Sequence, residues 1–276
     1  VSKGVAVDPK GGIYAVSDKM MRKLVWNGYR LSEKLSEGAW SAPYDTGRQP
    51  PAGKAGTGSG SAPSLMGFGD DKDKLVLITD GADRMKLVAF WRDRIPEGFK
   101  ERPWARSLRV AGQVQVTCGL VPPPAFLQSE QSVVVRGYGA FVVDTVRAQG
   151  SDQGLVDAMA AGPVFEPAAG AERFQWDPVY GQWHSVWTRP DVVVTGAGPA
   201  LSAPSNTVLV QGYTKKDGWE LTGMDWNTGR TVHRSLFGPG PLGNGSLATI
   251  HLLGKDDLLL DSLGGPIRAQ ILPPRK

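Results

Sequence analysis

Three histidines and a handful of carboxylates carry most of the capacity for chemistry in this 276-residue chain. His251, in "ATIHLL", is the candidate catalytic residue, because an imidazole on a strand that turns one face inward can act as a general base or a ligand. A strand has two faces and only one points inward, so a packing role is the simpler expectation. His184 sits between tryptophans in "QWHSVW" and is a candidate ligand contact, with a hydrogen-bonded structural role again the simpler one. His233 follows a turn and reads as exposed.

Asp80 and Asp83, in "TDGAD", put two carboxylates on one loop. That is the beginning of a hard-ion site, and the cation such oxygens would hold is a divalent one such as calcium. The spacing of an EF-hand is missing, however, and Asp-Gly is also what a hairpin turn selects, so a turn role is favoured. Asn206 and Asn244 follow small-residue stretches that open strand groups, and they are the remaining ligand-binding candidates. Asn244-Gly245-Ser246 also fits a glycosylation acceptor. Asp8, Asp225 and Asp261 stand beside strands, where Asp commonly caps a turn.

The elements that must position these groups are extended runs along almost the whole length. "GVAVDPKGGIYAVSD" is a strand, a turn and a strand, and "MMRKLVWNGYRL" adds a third strand ending at an Asn-Gly corner. "KLVLITDGADRMKLVAFW" repeats the plan. "SVVVRGYGAFVVDTV", "RFQWDPVYGQWHSVWTR", "NTVLVQGY", "WELTGMDW" and "LATIHLLGKDDLLLDSLGGPIRAQIL" continue it. Val, Ile, Thr and aromatics fill the runs, and 36 Gly and 21 Pro punctuate them. The helical candidate is "DQGLVDAMAAG", residues 152 to 162.

Internal repetition organises these runs. Segments 61–90, 201–226 and 245–271 share one order: a small-residue opening, an apolar strand, a charged turn and further strands. The step from Ser202 to Ser246 is 44 residues, and that from Ser61 to Ser202 is 141, about three such steps. Steps of roughly 40–45 residues are those of a four-stranded propeller blade. The expected fold is therefore all-β, a β-propeller of about six four-stranded blades and either a whole ring or part of a larger one. Units fall near 4–47, 58–118, 120–150, 168–199, 200–240 and 241–272, in one domain over 1–276. In "GWELTGMDWNTGRTVHRSL" (218–236), Trp219, Leu221, Met224 and Trp226 are expected to pack between neighbouring blades, with the Asn-Thr-Gly corner in solvent.

Composition narrows the function. The net charge of +4 comes from dispersed Lys and Arg, without the clustered basic face of a nucleic-acid binder. No run reaches the roughly 18 apolar residues of a membrane span. The single cysteine, Cys118, leaves no intrachain disulfide or cysteine metal cage and reads as a small buried side chain. "VVVTGAGPAL" (192–201) opens like a dinucleotide fingerprint but lacks the following helix. "GTGSGSAP" (56–63) has no helix either, and its glycines read as a flexible link. No Gly-x-Ser-x-Gly elbow is present. The N-terminus carries no apolar export signal, so any such signal was cleaved or never there, and a longer parent protein is compatible with this start.

"GVAVDPKGGIYAVSD" resembles the repeat of six-bladed propellers of the gluconolactonase and strictosidine-synthase-like group. "GMDWNTGRTVHRSL" is similar to the blade-closing repeat of quinoprotein-dehydrogenase-like propellers. The first resemblance implies lactone hydrolysis at a divalent ion and the second implies pyrroloquinoline quinone. Arylsulfotransferases use similar blades with catalytic His. Each match covers 15 to 20 residues. Taken together, the sequence leads to a small-molecule-binding propeller in an extracytoplasmic space, periplasmic or secreted, with its site at the mouth of the central channel. The alternatives are a metal-assisted lactonase-like hydrolase and a scaffold for a protein partner.

Overall fold

The computed structural model describes residues 4–47, 56–146, 159–195, 197–245, 249–254 and 257–270. Among them, twenty strands form five antiparallel sheets that follow one another along the chain. Sheet 1 contains β1 (Val5–Val7), β2 (Gly12–Val16), β3 (Met20–Trp26), β4 (Leu31–Ser32) and β5 (Trp40–Pro43). Both β4 and β5 pair with β3, at successive stretches of it, so its outer strand is split in two. Sheet 2 is β6 (Ser64–Met66), β7 (Leu75–Thr79), β8 (Lys86–Trp91) and β9 (Val110–Gln115).

Sheet 3 is β10 (Val134–Arg136), β11 (Gly139–Val143), β12 (Ala169–Asp177) and β13 (Gln182–Val193). Sheet 4 is β14 (Ala200–Ser202), β15 (Thr207–Thr214), β16 (Gly218–Asp225) and β17 (Thr231–Gly238). Sheet 5 is β18 (Ile250–Gly254), β19 (Asp257–Leu260) and β20 (Ile267–Gln270). The sequence units 120–150 and 168–199 thus give two strands each to a single sheet, because β11 and β12 pair across the segment between them. Of the helical candidate 152–162, only residues 159 to 162 are described.

Alternation along each strand explains the packing. In β7, Leu75 and Leu77 face sheet 3, where they join Ala140, Val142, Phe174 and Trp176. Val76 and Ile78 point the other way, to Tyr14, Val16, Met21 and Trp40 of sheet 1. β11 behaves alike: Ala140 and Val142 face sheet 2, while Phe141 and Val143 meet Val208, Val210 and Met224 of sheet 4. Leu209 and Leu221 of sheet 4 then pack on Leu258 and Leu260 of sheet 5. A strand buried on both faces must be apolar at every position, which is why "LVLI" and "AFVV" show no alternation in sequence. Each fully buried Leu, Ile or Phe contributes roughly 1.5–3 kcal/mol. Leu221, Met224 and Trp226 pack between sheets as expected, and Trp219 is fully buried. Among the described residues, sheets 1 and 5 are covered on one face, with Val5, Val7 and Leu253 more than half exposed.

Candidate functional site

A four-stranded meander sends its first and third turns to one end and its second turn, with the linker to the next sheet, to the other. At the linker end the interior changes character. Ser61, Thr79, Asp80, Gln128, Ser129, Asp144, Thr195, Gln211 and Asn244 are all buried there. Linkers carry backbone groups with no ladder partner, so side chains must satisfy them. Gln128 Nε2 donates to the Ala82 carbonyl at 2.8 Å, Ser61 Oγ accepts from Thr79 N at 3.0 Å, and Gln211 Nε2 donates to the Gly243 carbonyl at 2.6 Å.

The linkers also close on one another. A β-carbon at Gly60, between sheets 1 and 2, would collide with the Ser129 carbonyl and the Glu130 carboxylate, between sheets 2 and 3. One at Gly198, in the next linker, would stand 3.3 Å from the Gln131 amide oxygen. Gly198 in turn forms a bridge with Thr249, which leads into sheet 5. The expected flexible link at 56–63 is therefore a close-packed one, and its glycines serve close approach. Ser59, Glu130 and Gln131 keep partial exposure around this meeting point.

Three buried acids lie at the same end. Glu172 Oε2 accepts from Thr117 N at 2.7 Å and Cys118 N at 2.8 Å, and its Oε1 accepts from Ser185 Oγ at 2.7 Å. It pins the turn that holds Cys118 at a left-handed φ of 50°. Burial, then the nearby Asp144 and Glu172 charges, push the Cys118 thiol well up, and the lone cysteine is a small buried side chain as expected. Asp144 closes β11 and accepts long bonds from Gln128 N (3.3 Å) and Val146 N (3.4 Å). Burial raises its carboxyl to about 7, against the opposing pull of those two amides.

The candidates from sequence divide between the two ends. Asp80 is buried at the linker end, where Oδ1 accepts from Lys86 N at 2.8 Å and Oδ2 pairs with Lys86 Nζ at 2.9 Å. Burial pushes its carboxyl up despite that pairing. Lys86 Nζ also pairs with Asp45, at 2.9 Å. Asp83 borders the same turn, its carbonyl accepting from Leu127 N at 2.9 Å. The Asp80 carboxylate is committed to Lys86, and no group of three or more His, Cys, Asp or Glu able to hold a metal occurs among the described residues. Asn244 is buried beside the last linker, its Nδ2 donating to the Met159 carbonyl at 2.8 Å.

His251 lies on the face of β18 opposite Ile250, half exposed, with Nε2 2.6 Å from Thr249 Oγ1 and 3.7 Å from Asp261 Oδ2. Asn206 and His184 stand at the turn end. Asn206 bonds Arg136 and, at 3.0 Å, Asp225, while exposed His184 lies 3.4 Å from Gln182 Nε2. His233 reaches Ser235 Oγ at 2.7 Å. Sequence reasoning missed Gln128, Ser129, Gln131, Asp144 and Thr195. Their positions just before or after apolar strands were the available signal, but neighbouring linkers meet only through the fold.

No protein-family model matches the sequence. An uncharacterized protein of Archaeoglobus fulgidus is 34% identical over 263 residues, 91% of this chain and 48% of the relative. The chain spans about half the length of that curated relative. Among solved structures, BamB from Moraxella catarrhalis aligns with a TM-score of 0.50 at 15% identity, over 96% of this chain and 60% of its own. The quinohemoprotein alcohol dehydrogenase ADHIIG from Pseudomonas putida HK5 also gives 0.50, at 12% identity, over 95% of this chain and 44% of its own. Both are β-propellers. The chain has the β-propeller fold. Its five described sheets are in keeping with a ring of about six blades or part of a larger one. No helix among the described residues is long and apolar enough to cross a membrane.

Proposed function

We propose that this propeller binds a small polyhydroxylated molecule at the linker end of its central axis, in an extracytoplasmic setting. The supporting observation is the meeting of four successive linkers there, with buried and half-buried amides and hydroxyls in place of the apolar side chains that fill the sheets. Neutral amides and hydroxyls both donate and accept, which suits a ligand rich in hydroxyl groups. Partly exposed Ser59 and Gln131 border this place, with buried Ser129, Gln128 and Thr195 beside them. A metal-assisted hydrolase would need a carboxylate donor set, and Asp80 is committed to Lys86.

The test is a thermal-shift survey with gluconate, gluconolactone and trehalose. Binding at this end predicts a melting temperature that rises with one of them. The rise should be lost in Gln131→Ala and kept in His184→Ala at the opposite end. A survey without any rise, or a rise that survives Gln131→Ala and vanishes in His184→Ala, contradicts the proposal.

A further inference from the structure

The turn end of the cleft between sheets 3 and 4 holds two arginines that no described carboxylate pairs with directly. Arg173, on β12, is 8% exposed, and its guanidinium lies across the glycine of the neighbouring strand. A β-carbon at Gly139 would stand 2.9 Å from Arg173 Nη2 and 2.8 Å from the Trp226 ring. The guanidinium carbon sits 5.0 Å from the centroid of the Trp226 indole, Nη2 donates to Gln175 Oε1 at 2.8 Å, and the buried Nε has no hydrogen-bond partner. Arg136, paired opposite Gly139 at the end of β10, donates to Asn206 Oδ1. Asn206 passes its amide on to Asp225 Oδ2, whose other oxygen caps the turn at Asn227 and Thr228. Neither guanidinium forms an ion pair with a described carboxylate.

Sheet 1 shows what the same layout looks like when it is neutralised. Tyr14 pairs with Lys23 as Phe141 pairs with Arg173, and Gly12 occupies the place of Gly139, its β-carbon position 2.7 Å from Lys23 Cε. In the position of Arg136, however, sheet 1 has Asp8, which lies 3.8 Å from Lys23 Nζ, with Asp93 at 3.3 Å on the other side. Sheet 3 therefore replaces the acid of a buried ion pair by a second cation. Burial, and next the Arg136 charge, pull Arg173 down from the usual guanidinium range, as expected of like charges held together out of water.

We infer that Arg136 and Arg173 form a binding site for a small oxyanion, a phosphate or carboxylate group, in the cleft between the third and fourth sheets. Guanidinium groups match such oxygens in bidentate geometry, and an unpaired buried cation is costly enough to favour an anion that completes it. The Trp226 face and the Gly139 gap hold Arg173 in place, and Asn206 holds Arg136. This site is independent of the linker end.

The direct test uses inorganic phosphate and acetate, each titrated at constant ionic strength against chloride and followed by calorimetry and thermal melting. The wild type should bind one anion per chain and melt several degrees higher in its presence. Arg136→Asp, which rebuilds the acid–base pair of sheet 1, should melt higher without added anion and show no further rise. Any general salting effect of phosphate remains in that variant and is subtracted. Should Arg136→Asp fail to fold, Arg136→Gln should fold and still lose at least tenfold in affinity. A response to phosphate alone marks a phosphoryl ligand, and one to acetate alone a carboxylate. An unresponsive wild type, or an equal response in the Arg136 variants, overturns the site.

Discussion

The two ends of the sheets solve the same problem by different means. At the turn end, an aspartate bonds the backbone next to it in three of the turns. Asp8 takes Lys10 N and Gly12 N, Asp177 takes Val179 N and Tyr180 N, and Asp225 takes Asn227 N and Thr228 N. At the linker end, several of the partners come from distant segments. Glu172 holds residues 117 and 118, and Gln128 reaches back to Ala82. Local closure satisfies the backbone of these three turns, while side chains such as Arg136 and Lys23 tie neighbouring sheets together at the same end. Long-range closure makes the linker end depend on the whole ring being assembled, and it gathers polar groups from several sheets at one place.

Breaking the long-range contacts should therefore cost most. Glu172→Ala leaves the buried Cys118 amide and the partly buried Thr117 amide without their acceptor, and about 3 kcal/mol of stability should be lost in urea unfolding. Little change would mean that the linker end satisfies itself locally after all. Gly60→Ala forces a methyl group against the Ser129 carbonyl and should cost about 1–3 kcal/mol. A neutral result would show that the linkers do not pack together.

Asp144 sharpens the comparison through pH. Its carboxyl stands at about 7 in the folded protein, above the roughly 3.9 of an unfolded chain, so folding favours the protonated form. That contribution is complete below about pH 4 and fades as pH rises towards 7. The melting temperature of Asp144→Asn, minus that of the wild type, should grow between pH 5 and pH 7.5, by roughly 3–6 °C. A difference independent of pH would place Asp144 in water. The smallest effect belongs to the turn end. Asp225→Ala should cost less than about 1 kcal/mol, because water replaces an exposed cap, and a loss as large as that of Glu172→Ala would erase the contrast.

The same contrast explains what the sequence disclosed. Asp8 and Asp225 are legible as caps because their partners lie two to four residues away. The strands and their two-sided burial show in "LVLITD" and "GAFVVD", and Leu221, Met224 and Trp226 pack where the repeat places them. The merging of units 120–150 and 168–199 into one sheet was not legible, since β11 pairs with β12 across a long insertion. His251 was legible as a strand residue but not as one on the face opposite Ile250, because strand periodicity does not say which face meets a neighbour. The meeting of Gly60, Gln131 and Gly198 depends on residues up to 138 positions apart, and no local pattern encodes it.

The most direct measurement of whether the linker end is the functional end is backbone amide mapping by NMR during a titration with gluconate. The account predicts shifts confined to residues 128–131, 195–198 and their neighbours around Ser59, with the Asp225–Gly229 turn unmoved. Shifts centred on that turn, or none near Gln131, would contradict it.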